Sequence, residues 1–330
     1  MFMDNMRKLV EGTQERIVFP EGAEQRALRA ADLLNRQKLA RLILLGDENT
    51  IRKNAADLQI ALEAITIIDP SNDERLAAYR DTYYELRKHK GIDMHVAEER
   101  VKLPNYFGAL MVRYGDADGM VSGLNSETKP FVPGFEIIKL KEGFHRASSV
   151  FVLEWPERLL FFADCSVNID PDAQVLAEIT HATIQTVRSF GYEPRVAMLS
   201  FSTRSSAKGS DVEKVKEATR LARQLCPDEI IDGEVQFDTA LLPEVAQKKA
   251  PDSPFVERGA NVFIFPNLDA GNIAYKITER LGKARATGPI LQGLNHPVND
   301  VSRGCSFEDL ANVAILTAAL ARMQKQSTTG

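Results

Sequence analysis

The sequence predicts an α/β protein with mostly parallel, helix-covered sheets in two domains, and three observations carry this. Short apolar runs alternate with helical patterns: Arg16-Ile-Val-Phe-Pro20, a helix over residues 24–37, then Leu42-Ile-Leu-Leu45. The runs close in Gly- or Pro-punctuated turns such as Pro20-Glu21-Gly22 and Asp69-Pro70, as buried strands leaving a sheet do. At 330 residues the chain also exceeds the usual size of one compact domain.

Each element follows from its own pattern. Residues 6–11 read as an amphipathic helix ending near Gly12. In the helix over 24–37 the expected buried positions are Ala27, Leu28, Ala31, Leu33 and Leu34. Thr66-Ile-Ile68 is a third strand. A helix from about residue 72 ends in Arg87-Lys88-His89-Lys90-Gly91, where cations meet the negative end of the dipole and Gly takes the cap. The same cations can serve as a phosphate grip. Residues 108–112 read as helix, and 117–123 as a strand entering a Gly loop, the position where α/β folds build sites. Strands follow at 149–153 and 159–167, with Cys165 a buried thiol, and then a helix over 171–190 bearing Leu176, Ile179, Ile184 and Val187 inward and His181 on its surface. The strand at 195–199 runs into Ser200-Phe-Ser202-Thr203-Arg204-Ser205-Ser206-Ala-Lys208-Gly209 and a helix from about 211. Hydroxyls, amides and two cations before a helix N-terminus make a phosphoryl nest, or an ordinary Ser-rich loop. The strand at 260–265 leads to Asn272, read as the cap of the next helix. A helix over 310–323 closes the fold.

Totals narrow the function classes. Hydrophobic residues at 44% and charged residues at 26% are ordinary for a globular protein, and a net charge of −5 speaks against broad nucleic-acid affinity. The three cysteines show no CxxC spacing, so a reducing compartment without structural zinc is expected. No apolar run reaches membrane-spanning length and no signal-peptide core opens the chain, which points to a cytoplasmic enzyme with no membrane partner. Neither GxGxxG after a strand nor GxxxxGK[ST] occurs.

The chemistry concentrates in residues 288–309, GPILQGLNHPVNDVSRGCSFED. Asn299, Asp300, Ser302, Arg303, Cys305, Ser306, Glu308 and Asp309 gather in a Gly- and Pro-punctuated loop before a helix, where an anion can be held and a proton moved beside it. The same letters also have capping-box spacing, with Ser306 capping amides and Asp309 three residues on.

This stretch resembles the C-terminal signature of phosphate acetyltransferases. The likeness covers nearly the whole chain and is densest over residues 162–320, where LSFSTRSSAKG, IDGEVQFD and NVFIFPNLDAGNIAYK match family motifs. It implies a two-domain, three-layer α/β/α fold of the isocitrate/isopropylmalate dehydrogenase type, with residues 1–142 plus 292–330 in one domain, 143–291 in the other and the active-site cleft between them. It implies a reversible transfer, acetyl-CoA plus phosphate giving acetyl phosphate plus CoA, in a homodimer with coenzyme A as substrate and no tightly bound cofactor or metal. Asp309 is then the general base on the thiol, Ser302 the donor to the oxyanion and Arg303 the partner of phosphate. Substrate and coenzyme binding fall to Arg87, Ser200, Ser202, Thr203, Ser206, Lys208 and Asn272. The chain departs from the family in SGLNSETKPFVPGFEIIK, where Val132 stands in place of a substrate-binding arginine; Lys129 is expected to supply the missing charge, as a point charge rather than a bidentate fork. Arg204 and Ser205 stand where the family has Lys or Thr and then Gly. Alternatives are a transferase for butyryl or another acyl group, a non-catalytic acetyl-CoA sensor like the C-terminal domain of some malic enzymes, and last a dehydrogenase.

Overall fold

The structure is a computed structural model that describes residues 2–125 and 132–328. Its strands are β1 (Arg16–Phe19), β2 (Arg41–Leu45), β3 (Thr66–Ile68), β4 (Gly119–Ser122), β5 (Ser148–Trp155), β6 (Arg158–Ala163), β7 (Arg195–Leu199), β8 (Ile230–Val235), β9 (Val262–Ile264), β10 (Arg285–Gln292) and β11 (Val298–Asp300). They form two sheets in two compact units, one of Met3–Lys141 and Leu294–Gly330 (the split unit), the other of Met1–Phe2 and Glu142–Gly293 (the middle unit).

The split unit has a five-stranded, all-parallel sheet in the order β11-β4-β1-β2-β3. Ile17, Val18, Phe19, Leu42, Leu44 and Leu45 are buried because helices cover both faces, which is why these strands read as continuous apolar runs. The helix Gln25–Arg36 starts at Glu24, whose carboxylate accepts the amides of Arg26 and Ala27. It buries Ala27, Leu28, Ala30, Ala31 and Leu34; Leu33, expected inside, is only half-buried, and Ala30 takes its place. Helix Leu76–Arg87 runs into a 3-10 turn over Lys88–Lys90 that Gly91 closes at φ 81°, the left-handed cap its sequence predicts. The helices Glu48–Asp57 and Met94–Val101 were not among the expected elements.

Residues 298–300, expected as loop, are the edge strand β11, in register with β4 so that Asp300 lies beside Ser122. The helix Phe307–Thr328 packs on β1, β4 and β11. Asn299 Nδ2 donates to the buried Thr317 hydroxyl at 2.8 Å, and a Cβ on Gly119 would stand 2.5 Å from Thr317 Cγ2, so no larger residue fits beneath the helix.

In the middle unit the order is β10-β5-β6-β9-β7-β8, with β5 antiparallel to both β10 and β6 and the rest parallel. Phe162, Phe263 and Phe265 meet edge to face in its core. β6 stops at Ala163, four residues short of the expected strand end. There Asp164 turns the chain: its carboxylate accepts the amides of Ser166, Val167 and Asn168 and the hydroxyl of Ser149. The helix Ala173–Ser189 buries Leu176, Ile179, Ile184 and Val187, while His181 stacks on Phe144.

Candidate active site

In the split unit, β4 and β11 end side by side, and the two following loops touch at backbone level. Gly123 has φ 114°, and a Cβ there would lie 2.4 Å from the Val301 carbonyl. Val301 N donates to Ser122 O at 2.8 Å. Glu21, in the turn after β1, accepts the amides of Gly123 and Asn125 and fixes the first loop. Arg26 fixes the second. Its Nη1 donates to the carbonyls of Arg303 at 2.7 Å and Cys305 at 3.1 Å, its Nη2 to Leu124 O at 3.3 Å, and its Nε to Glu24 at 2.7 Å.

So held, Ser302, Arg303 and Asp309 are all solvent-exposed on one short loop and the first helical turn after it. Asp309 and Ser306 form the reciprocal capping box: Asp309 Oδ2 accepts from Ser306 N and Oγ at 2.9 and 2.8 Å, and Ser306 Oγ accepts Asp309 N at 3.1 Å. Only Oδ2 is used in these bonds. The cap therefore orients the carboxylate, and the capping and chemical readings of the sequence are compatible. Cys305 is half-buried, and burial pushes its thiol up to about 11, an inert form. Asp300 is displaced further from its ordinary range, since burial lifts its carboxyl to about 7.

Arg87 is in the same unit, with its guanidinium already engaged: Nη2 donates to Glu136 at 2.9 Å, and Glu136 also accepts the Tyr83 hydroxyl. Val132 opens the helix Val132–Ile137. Lys129 lies outside the described residues.

In the middle unit the loop 200–209 is tied to buried acids. Ser202, fully buried, donates to Glu234 at 2.9 Å; Thr203 Oγ1 accepts Gln236 N at 2.9 Å; Ser206 Oγ accepts Thr203 N at 3.1 Å; and Ser200 Oγ accepts Ser202 N at 3.1 Å. Arg204, expected as one of two nest cations, is turned away: it donates to both oxygens of buried Asp232 at 3.1 and 2.8 Å and to Asp252. Lys208 is exposed and has no ion-pair partner among the described residues. Glu234 and Asp232 are the acceptors that shape this loop.

Asn272 corrects the sequence reading. The helix Leu268–Arg280 begins earlier, capped by Asn267, which accepts Ala270 N at 3.0 Å. Asn272 is inside the helix, and its Nδ2 donates to Cys165 O at 3.1 Å.

Sequence reasoning gave no role to Glu21 or Arg26, and it did not pair Asp300 with Ser122. The Pro20-Glu-Gly turn followed by Glu24 and Arg26 marks a strand end, but only the fold brings it to residue 303. Among the described residues no group of His, Cys, Asp and Glu is placed to hold a metal ion, and no helix is long and apolar enough to cross a membrane.

The family model described as Phosphate acetyl/butaryl transferase matches residues 1–318. A phosphate acetyltransferase of Bacillus subtilis is 47% identical over 317 residues, covering 96% of this chain and 98% of that protein. One from Nitratidesulfovibrio vulgaris is 47% identical over 326 residues, but this chain spans only 46% of its length. A phosphotransacetylase structure from Streptococcus pyogenes superposes with a TM-score of 0.92 at 45% identity, covering 97% of this chain and 98% of that one. At 13% identity and a TM-score of 0.57, a 4-hydroxythreonine-4-phosphate dehydrogenase structure from Salmonella typhimurium shares the fold alone.

Proposed function

The chain belongs to the phosphate acetyl/butaryl transferase family, and from that premise we propose that it is a phosphate acetyltransferase, moving an acetyl group reversibly between coenzyme A and inorganic phosphate. The observation that carries the reading is the exposed Ser302-Arg303 pair pinned by Arg26 beside a capped, exposed Asp309.

In the direction of acetyl-CoA synthesis, Asp309 takes the proton of the coenzyme A thiol and the thiolate attacks the acetyl carbonyl of acetyl phosphate. No covalent enzyme intermediate is required. A carboxylate is a weak base for a thiol, so neighbouring cations must favour the thiolate. Ser302 donates to the oxyanion that develops on the carbonyl, and Arg303 neutralises phosphate as it leaves. Backbone pinning by Arg26 supports these roles, because donors fixed before reaction need no reorganisation during it.

Coenzyme A carries phosphoryl groups, and Lys208, Ser200 and Ser206 of the exposed loop segment are proposed to bind them, with Thr203 holding the loop's shape. Ser202 and Asn272, named in the sequence reading, act within this proposal as scaffold, since both side chains are committed to protein partners. Arg87 and Lys129 are proposed to hold the coenzyme or substrate, Arg87 by exchanging Glu136 for phosphate. The enzyme is proposed to work in the cytoplasm, in acetate metabolism, as a homodimer. An exposed apolar stripe of Ile273, Ile277 and Leu281 along one helix supports the last point.

The test is phosphate-dependent release of free thiol from acetyl-CoA by the purified chain. Robust release, lost in Asp309→Ala, is expected. Acetyl-CoA binding without release would favour a sensor, and faster turnover of butyryl-CoA a longer-chain transferase.

A further inference from the structure

Two polar groups at the ends of β4 and β11 have no explanation in the fold. Ser122 Oγ and Asp300 Oδ1 are both shut off from solvent, and neither has a hydrogen-bond partner among the described residues. Most buried polar atoms in folded proteins are bonded, so each orphan calls for a ligand, a water or a function. These two are cross-strand neighbours in register on adjacent parallel strands, which places their backbones about 5 Å apart. They sit at the carboxyl ends of the strands, where open α/β sheets bind ligands, and Asp300 is two residues before Ser302.

The electrical setting decides what such a pair can hold. Three acids on the neighbouring described segments are committed elsewhere. Glu21 takes the amides of Gly123 and Asn125, Glu24 pairs with Arg26, and Asp309 is bonded to Ser306. None of these, nor Arg303 or Glu308, acts on Asp300, whose displacement arises from burial, opposed only by its own backbone amide. A carboxyl in this position is largely protonated below neutrality and donates a hydrogen bond, as a buried acid kept neutral can. A hydroxyl and a neutral carboxyl on neighbouring strands make two uncharged donors with no acceptor among the described residues, which suits an oxyanion with several oxygens.

We propose that Ser122 and Asp300 form a phosphoryl-oxygen subsite, both donating to inorganic phosphate or to the phosphoryl group of acetyl phosphate. They act beside Arg303, which supplies charge while this pair supplies direction. The assignment rests on the transferase reading above. It makes Asp300 a specificity residue: ionised, it repels phosphate, so phosphate affinity falls as pH rises through neutrality by more than the titration of phosphate itself accounts for.

Steady-state rates at varied phosphate and varied acetyl-CoA, from pH 6 to 8.5, test this in the wild type, Asp300→Asn, Asp300→Ala and Ser122→Ala. Asp300→Ala is expected to raise KM for phosphate about tenfold and Ser122→Ala about threefold, with KM for acetyl-CoA unchanged within twofold. Asp300→Asn keeps a donor, so its KM for phosphate should stay near the wild-type value at pH 6 and become the lower of the two at pH 8.5. Equal rises in both KM values, or a wild-type pH profile that Asp300→Asn merely copies, would overturn the subsite. If the wild type shows no turnover, the transferase reading fails, and calorimetric titration with phosphate still decides the subsite: binding lost in Asp300→Ala supports it, and undiminished binding refutes it. Melting curves of all four proteins identify any variant that fails to fold, and Asp300→Asn, which keeps the side-chain shape, then carries the decision.

Discussion

Loops 200–209 and 301–306 are made of the same materials: a strand end, several hydroxyls, an arginine, a glycine and a helix. They use them in opposite ways. In the middle unit the loop is internally bonded, with Ser202 and Ser205 N held by Glu234 and Arg204 locked to Asp232, which also binds Arg223 and Ser253. In the split unit the loop is held from outside, by Arg26 gripping carbonyls, and the side chains of Ser302, Arg303 and Ser306 stay exposed. Holding a loop by its backbone leaves side chains available for chemistry, whereas holding it by its side chains uses them up. The comparison teaches that hydroxyl-rich sequence alone does not distinguish a scaffold from a site.

Substitutions can break that contrast, and the largest effect is expected at Asp232. It is 1% exposed and accepts from two arginines and a serine, so Asp232→Ala should destabilise the protein by about 3 kcal/mol, read by urea unfolding. A loss under about 0.5 kcal/mol would show that the internally bonded loop does not depend on its acid. Next is Arg303→Ala, expected to slow phosphate-dependent turnover about 100-fold, close to 2.7 kcal/mol of transition-state stabilisation, while the melting temperature stays put. A large drop in melting temperature instead would make Arg303 a scaffold like Arg204.

Asp300→Asn sharpens the contrast through pH. A carboxyl lifted to about 7 favours folding while protonated, so its contribution is complete at acid pH and is lost as pH rises through 7. The amide does not titrate, and the variant should gain about 2 kcal/mol on the wild type between pH 5 and pH 8, seen as a diverging pair of melting temperatures. Parallel curves would mean the group titrates normally. Smallest is Ser205→Gly. Arg204 and Ser205 have φ of 50° and 63°, in the region that glycine adopts without penalty, so a gain of up to about 1 kcal/mol is expected from the same urea series. No gain would mean that the hydroxyl of Ser205 offsets the backbone cost.

Much of the fold is legible because burial on both faces writes itself into the sequence. β1, β2, β3 and β7 stand out as apolar runs with Gly or Pro beside them, and Gly91 and the Ser306–Asp309 spacing give away their caps. What fails is what depends on distant partners. β11 is three residues long and exists because β4, far back in the chain, offers it an edge. Asp164 ends β6 early by collecting amides and a hydroxyl, a role that no local spacing announces. Asn267 and Asn272 compete as caps on equal local terms, and tertiary packing decides where the helix begins. For the site, Ser302, Arg303 and Asp309 can be picked out from one contiguous stretch. Arg26 cannot, because its partners lie 277 and 279 residues away.

The sheet order β11-β4-β1-β2-β3 also sets a timetable for biosynthesis. β4 leaves the ribosome with one flank paired to β1 and the other waiting for a strand that is 176 residues further on. At roughly 5–20 residues per second that wait is about 9–35 seconds. Throughout it an apolar strand edge stands open, and the middle unit is translated in full. The residues proposed for catalysis are delivered only with the strand and helix that close this edge. A nascent chain therefore acquires its chemistry at the same moment that it loses its stickiest surface, and a ribosome stalled before residue 298 would present a molecule that is both inactive and prone to edge-to-edge association.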